Sequence, residues 1–98
     1  MTAFFVSRIR VKNKDKMQEY AQSTGPTIGA HKGKLVLKGA ADSTLLGDDA
    51  GEHITSIVEF PSLDALNAWF NSNEYQAFTD LRGQAGEMQF VAYEVPAA

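Results

Sequence analysis

Two segments of this chain alternate in the manner of a β-strand and yet carry apolar residues on both of their sides. In "FFVSRIRV" (4–11) the alternation puts Phe5, Ser7, Ile9 and Val11 on one side and Phe4, Val6, Arg8 and Arg10 on the other. Both sides begin apolar, which predicts a central strand covered on both faces. "HITSIVEF" (53–60) divides into Ile54, Ser56, Val58 and Phe60 against Thr55, Ile57 and Glu59. A pair of such strands constrains the fold more than any other feature, because each needs a layer of packing above and below it.

The intervening segments change period. In "NKDKMQEYAQSTGPTIGAHKG", Met17, Tyr20, Ala21, Thr24, Ile28 and His31 fall on one helical stripe. Asp15 and Gln18 suggest a capping box, Gly25-Pro26 predicts a kink or a short break, and Gly33 is placed to close the helix in the left-handed conformation. "KLVLKG" (34–39) reads as a strand, with a bend at Gly39-Ala40-Ala41 and a continuation through "STLLG"; "DDAGE" (48–52) is an acidic turn. Pro61 ends the 53–60 strand and Ser62 caps a helix with Leu63, Leu66 and Phe70 inward. "NSN" (71–73) is a joint, with Ser72 and Asn73 expected as caps and Asn73 with Gln76 as a second capping box. A further helix places Tyr75, Phe78, Leu81 and Arg82 near one face, and "MQFVAYEV" (88–95) is the closing strand. The order strand–helix–strand–strand–helix–strand predicts an α+β, ferredoxin-like βαββαβ fold. It has one antiparallel sheet, helices on one face, and the first and third strands side by side in the middle.

With 98 residues the chain is expected to form a single domain over 1–98. Its net charge of −3 argues against nucleic acid, which leaves a basic footprint. It has no cysteine, hence no disulfide, thiolate metal site or cysteine nucleophile, and no apolar run approaches a membrane span. "MTAFFVSRIRV" lacks the pattern of a signal peptide, so a cytoplasmic location is expected.

"GAHKGKLVLKG" after a helix, "IVEFPSLDALNAWFNSNEYQAFTDLR" and a closing "VAYEV" together resemble family 1330 of the domains of unknown function, in the dimeric α/β-barrel superfamily. The resemblance covers nearly the whole chain, and "EFPS…AW…S.EYQ…LR" is its most specific part. It implies a protomer that pairs sheet to sheet with a second copy, a homodimer whose sheets enclose a barrel. A sheet with helices on one side only would otherwise leave a large apolar face in water. Superfamily relatives include cofactor-free oxygenases, muconolactone isomerases, haem-dependent chlorite-degrading enzymes and ligand-sensing domains, so function has to be argued from the site. Lys38 stands where the family pattern leads one to expect arginine-rich strand ends, and lysine lacks arginine's bidentate fork for a carboxylate.

Candidate chemistry is sparse. His31 is the natural general base, although the last turn of a helix favours a histidine for its dipole and open carbonyls alone. Its place on the inward stripe is what keeps it a candidate. Arg8 and Glu59, each amid apolar residues on neighbouring strands, are expected to form a cross-strand ion pair or a polar patch that orients an anionic ligand. Trp69, Tyr75 and Arg82 flank the joint and suit a planar or anionic molecule. His31 and His53 lie in no close-spaced ligand motif and no glycine-rich phosphate loop occurs, so neither metal nor cofactor is expected. Taken together, the residues point to a small aromatic or anionic organic molecule bound between sheet and helices. His31 and Glu59 are then the candidates for cofactor-independent proton or oxygenation chemistry, and Arg8, Lys38, Trp69, Tyr75 and Arg82 for ligand contact. The competing reading is a non-catalytic binding or interaction module.

Overall fold

A computed structural model describes residues 1–96. The chain runs β1 (Thr2–Val11), α1 (Lys14–Ala30), β2 (Lys34–Ala40), β3 (Ile54–Phe60), α2 (Leu63–Phe70), α3 (Asn73–Gln76), α4 (Thr79–Ala85) and β4 (Gly86–Val95). The four strands form one antiparallel sheet in the order β2-β3-β1-β4. The two strands that are apolar on both sides are therefore the two central ones, as their composition required. Helices cover one face, and the fold is ferredoxin-like α+β.

The covered face of β1 carries Ala3, Phe5, Ser7 and Ile9, all buried. Val58 and Phe60 of β3 join them, and α1 to α4 close the core with Tyr20, Leu66, Trp69, Tyr75 and Ala85. Trp69 sits at the centre, edge-on to Phe5 at 5.1 Å between ring centroids and 4.4 Å from Tyr75. Such offset and edge contacts are the arrangements aromatic quadrupoles favour.

Local signals fall where the sequence puts them in some cases and one or two residues away in others. Ser62 caps α2, its Oγ accepting from Ala65 N at 3.1 Å. Asn13, rather than Asp15, caps α1 by accepting from Lys16 N at 3.0 Å. Helix α1 runs unbroken through Pro26, so the short break expected at Gly25-Pro26 does not occur. The left-handed residue after α1 is Lys32, at φ 67°, not Gly33. Gly33 is required for space, since a Cβ there would stand 2.5 Å from Ile28 Cγ2 and 2.8 Å from the Phe60 ring. Of the two caps expected at the joint, Ser72 caps α3, its Oγ accepting from Tyr75 N at 3.2 Å, and Asn73 is the first residue of the helix. The irregularity in β2 is a register shift between Leu35 and Leu37, and the strand ends at Ala40 without resuming through "STLLG".

The loop that follows is held by its own bonds. Arg10 Nη2 donates to Ala50 O at 2.8 Å, and Ala50 N donates to Thr44 Oγ1 at 3.0 Å. Leu45 and Leu46 are nonetheless almost wholly exposed.

The second face of the sheet has no helix on it. Alternation and register place Phe4, Val6, Arg8, Leu37, Ile57, Glu59, Val91 and Tyr93 there. Tyr93 is 52% exposed and Leu37 48%, while Phe4, Val6 and Ile57 are half-buried only by their neighbours.

Candidate functional site

On the covered side, α1 stands far enough off the sheet to leave a cleft of about 290 Å³ beneath it. Its inner wall is Phe5, Val58 and Trp69, its roof is the α1 stripe, and Leu35 and Lys38 stand exposed at its mouth on β2. The helical periodicity explains the roof: Met17, Tyr20, Ala21, Thr24 and Ile28 recur on the side facing the strands. Gly25 and Gly29 also line it, and their lack of side chains keeps the roof high.

Polar groups are few and fixed in the apolar lining. Ser7 Oγ and Ser56 Oγ meet at 2.6 Å across the β1–β3 register. Thr24 Oγ1 donates to Tyr20 O at 2.8 Å, the usual way a threonine satisfies itself within a helix. Tyr20 OH lies 2.6 Å from Tyr75 OH, and Arg82 Nη1 donates to Tyr75 OH at 3.1 Å. The Arg82 guanidinium rests over the rings of Phe70, Tyr75 and Phe90 at 5.6–5.9 Å, which fixes its position. Burial, and secondarily the adjacent Tyr75, push the Tyr20 phenol well above the ordinary tyrosine range, while Arg82 pulls weakly the other way. Tyr20 is therefore a neutral hydroxyl at any working pH.

The seven residues singled out in the sequence part into three groups. Trp69 and Lys38 line the cleft. Tyr75 and Arg82 stand behind Tyr20, one and two hydrogen bonds away. His31, Arg8 and Glu59 are outside it. His31 Nδ1 is bonded to Thr27 O at 3.0 Å, one turn back on its own helix, and it is not among the lining residues. Arg8 and Glu59 share the uncovered face but not a rung: Arg8 is opposite Thr55 and Glu59 opposite Phe4. Four residues of strand, about 13 Å, separate them along the sheet, so the expected cross-strand pair does not form within one chain. Ser7 and Ser56 are the polar groups that sequence reasoning passed over. Their signal was a lone hydroxyl in the middle of an apolar row on each of two central strands.

Antiparallel sheet, one-sided helices and this topology define a ferredoxin-like α+β protein. The chain belongs to the family described as Domain of unknown function (DUF1330), whose model matches residues 2–95. No curated protein matches it. Among solved structures it is similar to a protein of unknown function from Rhodopseudomonas palustris, at 17% identity and TM-score 0.80, over 99% of this chain and 84% of that one. It is also similar to SnoaB, a cofactor-independent oxygenase from Streptomyces nogalater, at 11% identity and TM-score 0.69, over 99% and 95% of the two chains. A dimeric ferredoxin-like protein of unknown function from Thermobifida fusca matches at 10% identity and TM-score 0.63, over 97% and 92%. At these identities the likeness is one of fold. Among the described residues no helix is long and apolar enough to cross a membrane, and no cluster of side chains is arranged to hold a metal ion.

Proposed function

We propose that this protein is a homodimeric α/β-barrel protein that binds a small aromatic or anionic organic molecule in the cleft between α1 and the sheet. The observation that carries the reading is the cleft itself: about 290 Å³, apolar and aromatic in its walls, with Ser7, Ser56, Tyr20 and Lys38 as its convergent polar groups. That combination of shape, apolar lining and a few placed donors is the usual make-up of a small-molecule site. Trp69 offers a planar wall and Lys38 a cation at the mouth. Tyr75 and Arg82 act through Tyr20, as positioning residues. His31 in this reading ends α1 and has no part in chemistry.

The chemistry proposed for this cleft is cofactor-independent oxygenation, the activity named for SnoaB. A purely binding role is favoured by one specific fact: no histidine, aspartate or glutamate lines the cleft. The two are separated by whether a bound molecule is consumed. A thermal-shift panel of phenols and small aromatic carboxylates tests the shared claim. A ligand present at a hundred times its Kd is expected to stabilise the fold by about 2.7 kcal/mol, a rise of several degrees in Tm. A panel without a single shift overturns it.

The uncovered sheet face supports the dimer, since a contiguous apolar surface bearing Phe4, Val6, Ile57, Val91 and Tyr93 is the kind that a second copy hides. Arg8 and Glu59 lie on this face: Glu59 stands across from Lys34 of β2, whereas Arg8 has only Thr55 and Gln89 on its rung, so a partner copy is the source of the countercharge Arg8 lacks. Light scattering is expected to give twice the chain mass of 10.7 kDa. Val6→Asp, which puts an unpaired charge at the centre of that face, is expected to return it to the single-chain mass; a wild-type monomer overturns the barrel. The absence of cysteine suits a cytoplasmic setting, and the net charge of −3 suits a partner other than nucleic acid.

A further inference from the structure

Hydrogen-bond direction in the cleft can be worked out from which groups are able to donate. Arginine only donates, so the Tyr75 oxygen receives the Arg82 proton. Tyr75 is 1% exposed, and the one remaining oxygen within its reach is that of Tyr20. A buried phenol proton left without an acceptor is costly, so Tyr75 spends its own on Tyr20. The Tyr20 proton is then left over, and no acceptor for it exists among the described residues, while Tyr20 itself lines the cleft. The serine pair obeys the same count. One of the two hydroxyls donates to the other, and one proton remains. Thr24 has already committed its proton to Tyr20 O.

Charge tells the same story. Of the elements around the cleft, α1 contributes Tyr20 and β2 contributes Lys38; β1, β3, α2 and β4 contribute no ionisable side chain to the lining. Arg82 on α4 adds a second positive charge behind the tyrosine pair, where a polarised chain of hydroxyls passes its influence on. The cleft thus presents leftover protons and cations and no carboxylate.

We infer that the cleft takes an aromatic molecule as its oxyanion, a phenolate or enolate, favoured by the spare hydroxyl protons of Tyr20 and the serine pair and by the Lys38 ammonium at the mouth. The inference rests on the proposed binding role and goes beyond it by fixing the ligand's protonation state. With no carboxylate or imidazole on the lining to remove a proton, the site selects a ligand that has already lost one, or lowers the ligand's pKa on binding. For a cofactor-independent oxygenation this is the electron-rich form of the substrate.

The probe is 4-nitrophenol, whose phenolate absorbs visible light and whose phenol does not. Titrated in the presence of saturating protein, its ionisation is expected to move to lower pH by about one unit, meaning about tenfold tighter binding of phenolate than phenol. Lys38→Met, at an exposed position, is expected to keep the fold and reduce that preference by roughly threefold. Tyr20→Phe keeps the ring and is expected to reduce it at least as much; should that variant lose stability, Lys38→Met carries the test. Binding with an unmoved or raised ionisation overturns the oxyanion inference and leaves the binding role standing. An unchanged preference in Lys38→Met also overturns it. Failure of both forms to bind removes the binding role as well.

Discussion

Trp69→Ala is expected to cost about 3–5 kcal/mol, the range for deleting a buried large aromatic. That is a large part of the roughly 5–15 kcal/mol that holds a domain folded. The indole is 1% exposed and touches five partners of different origin: the rings of Phe5, Phe60, Phe70 and Tyr75, and the Thr27 hydroxyl, to which its Nε1 donates at 3.0 Å. Those partners lie on β1, β3, α2, α3 and α1, so one side chain ties the sheet to three helices and cannot be replaced by the movement of any single element. Urea denaturation measures the loss. Trp69→Phe separates packing from the hydrogen bond: it is expected to cost about 1–2 kcal/mol, because most of the ring contacts survive and only the bond to Thr27 is forfeited. A Trp69→Ala loss below that of Trp69→Phe would contradict the packing described.

The second large effect belongs to Gly86. A Cβ at this buried position would run into the Arg10 carbonyl oxygen and stand 3.2 Å from its carbon and 3.3 Å from Val11 Cα. All of these are backbone, so no side chain can swing aside. The residue opens β4 directly opposite Val11, and Ala85 O next to it accepts from Lys12 N at 2.9 Å and Asn13 N at 3.2 Å. Gly86→Ala therefore has to part the β1–β4 ladder where the chain turns into α1, at a cost in the upper part of the roughly 1–3 kcal/mol of overpacking. Gly83 is the control. It lies in α4 with open space where its Cβ would be, and Gly83→Ala is expected to be neutral or to stabilise by up to about 1 kcal/mol. If both variants melt alike, the close approach at Gly86 is wrong.

The order of elements and the position of β1 and β3 could be read from the chain because the evidence is local: the period of an apolar pattern, a proline after Phe60, a serine before Leu63. The same holds for the stripe on α1, which forms the roof of the cleft with the exception of His31. What escaped were features decided by register. Arg8 and Glu59 were placed on one face but given the wrong rung, because sequence fixes which side a strand residue points to and not which residue lies across from it. Ser7 and Ser56 escaped for the same reason, since a lone serine declares itself only when another stands opposite. At His31 two local signals compete, the inward stripe and the open carbonyls of the last turn, and the bond of its Nδ1 to Thr27 O follows the second.

The outer strand β2 has one more consequence. It shows Leu35, Val36 and Leu37 to solvent in succession, at 59%, 52% and 48% exposure, on a rim where nothing occupies its outward backbone groups. Three such residues on a free rim invite a stranger's strand and, by repetition, a fibril. The register shift between Leu35 and Leu37 interrupts the straight run a visiting strand would have to follow, and Lys34 and Lys38 bracket it with like charge. The same irregularity that shifts the β2–β3 register thus also works against the stacking of one molecule's rim on another's.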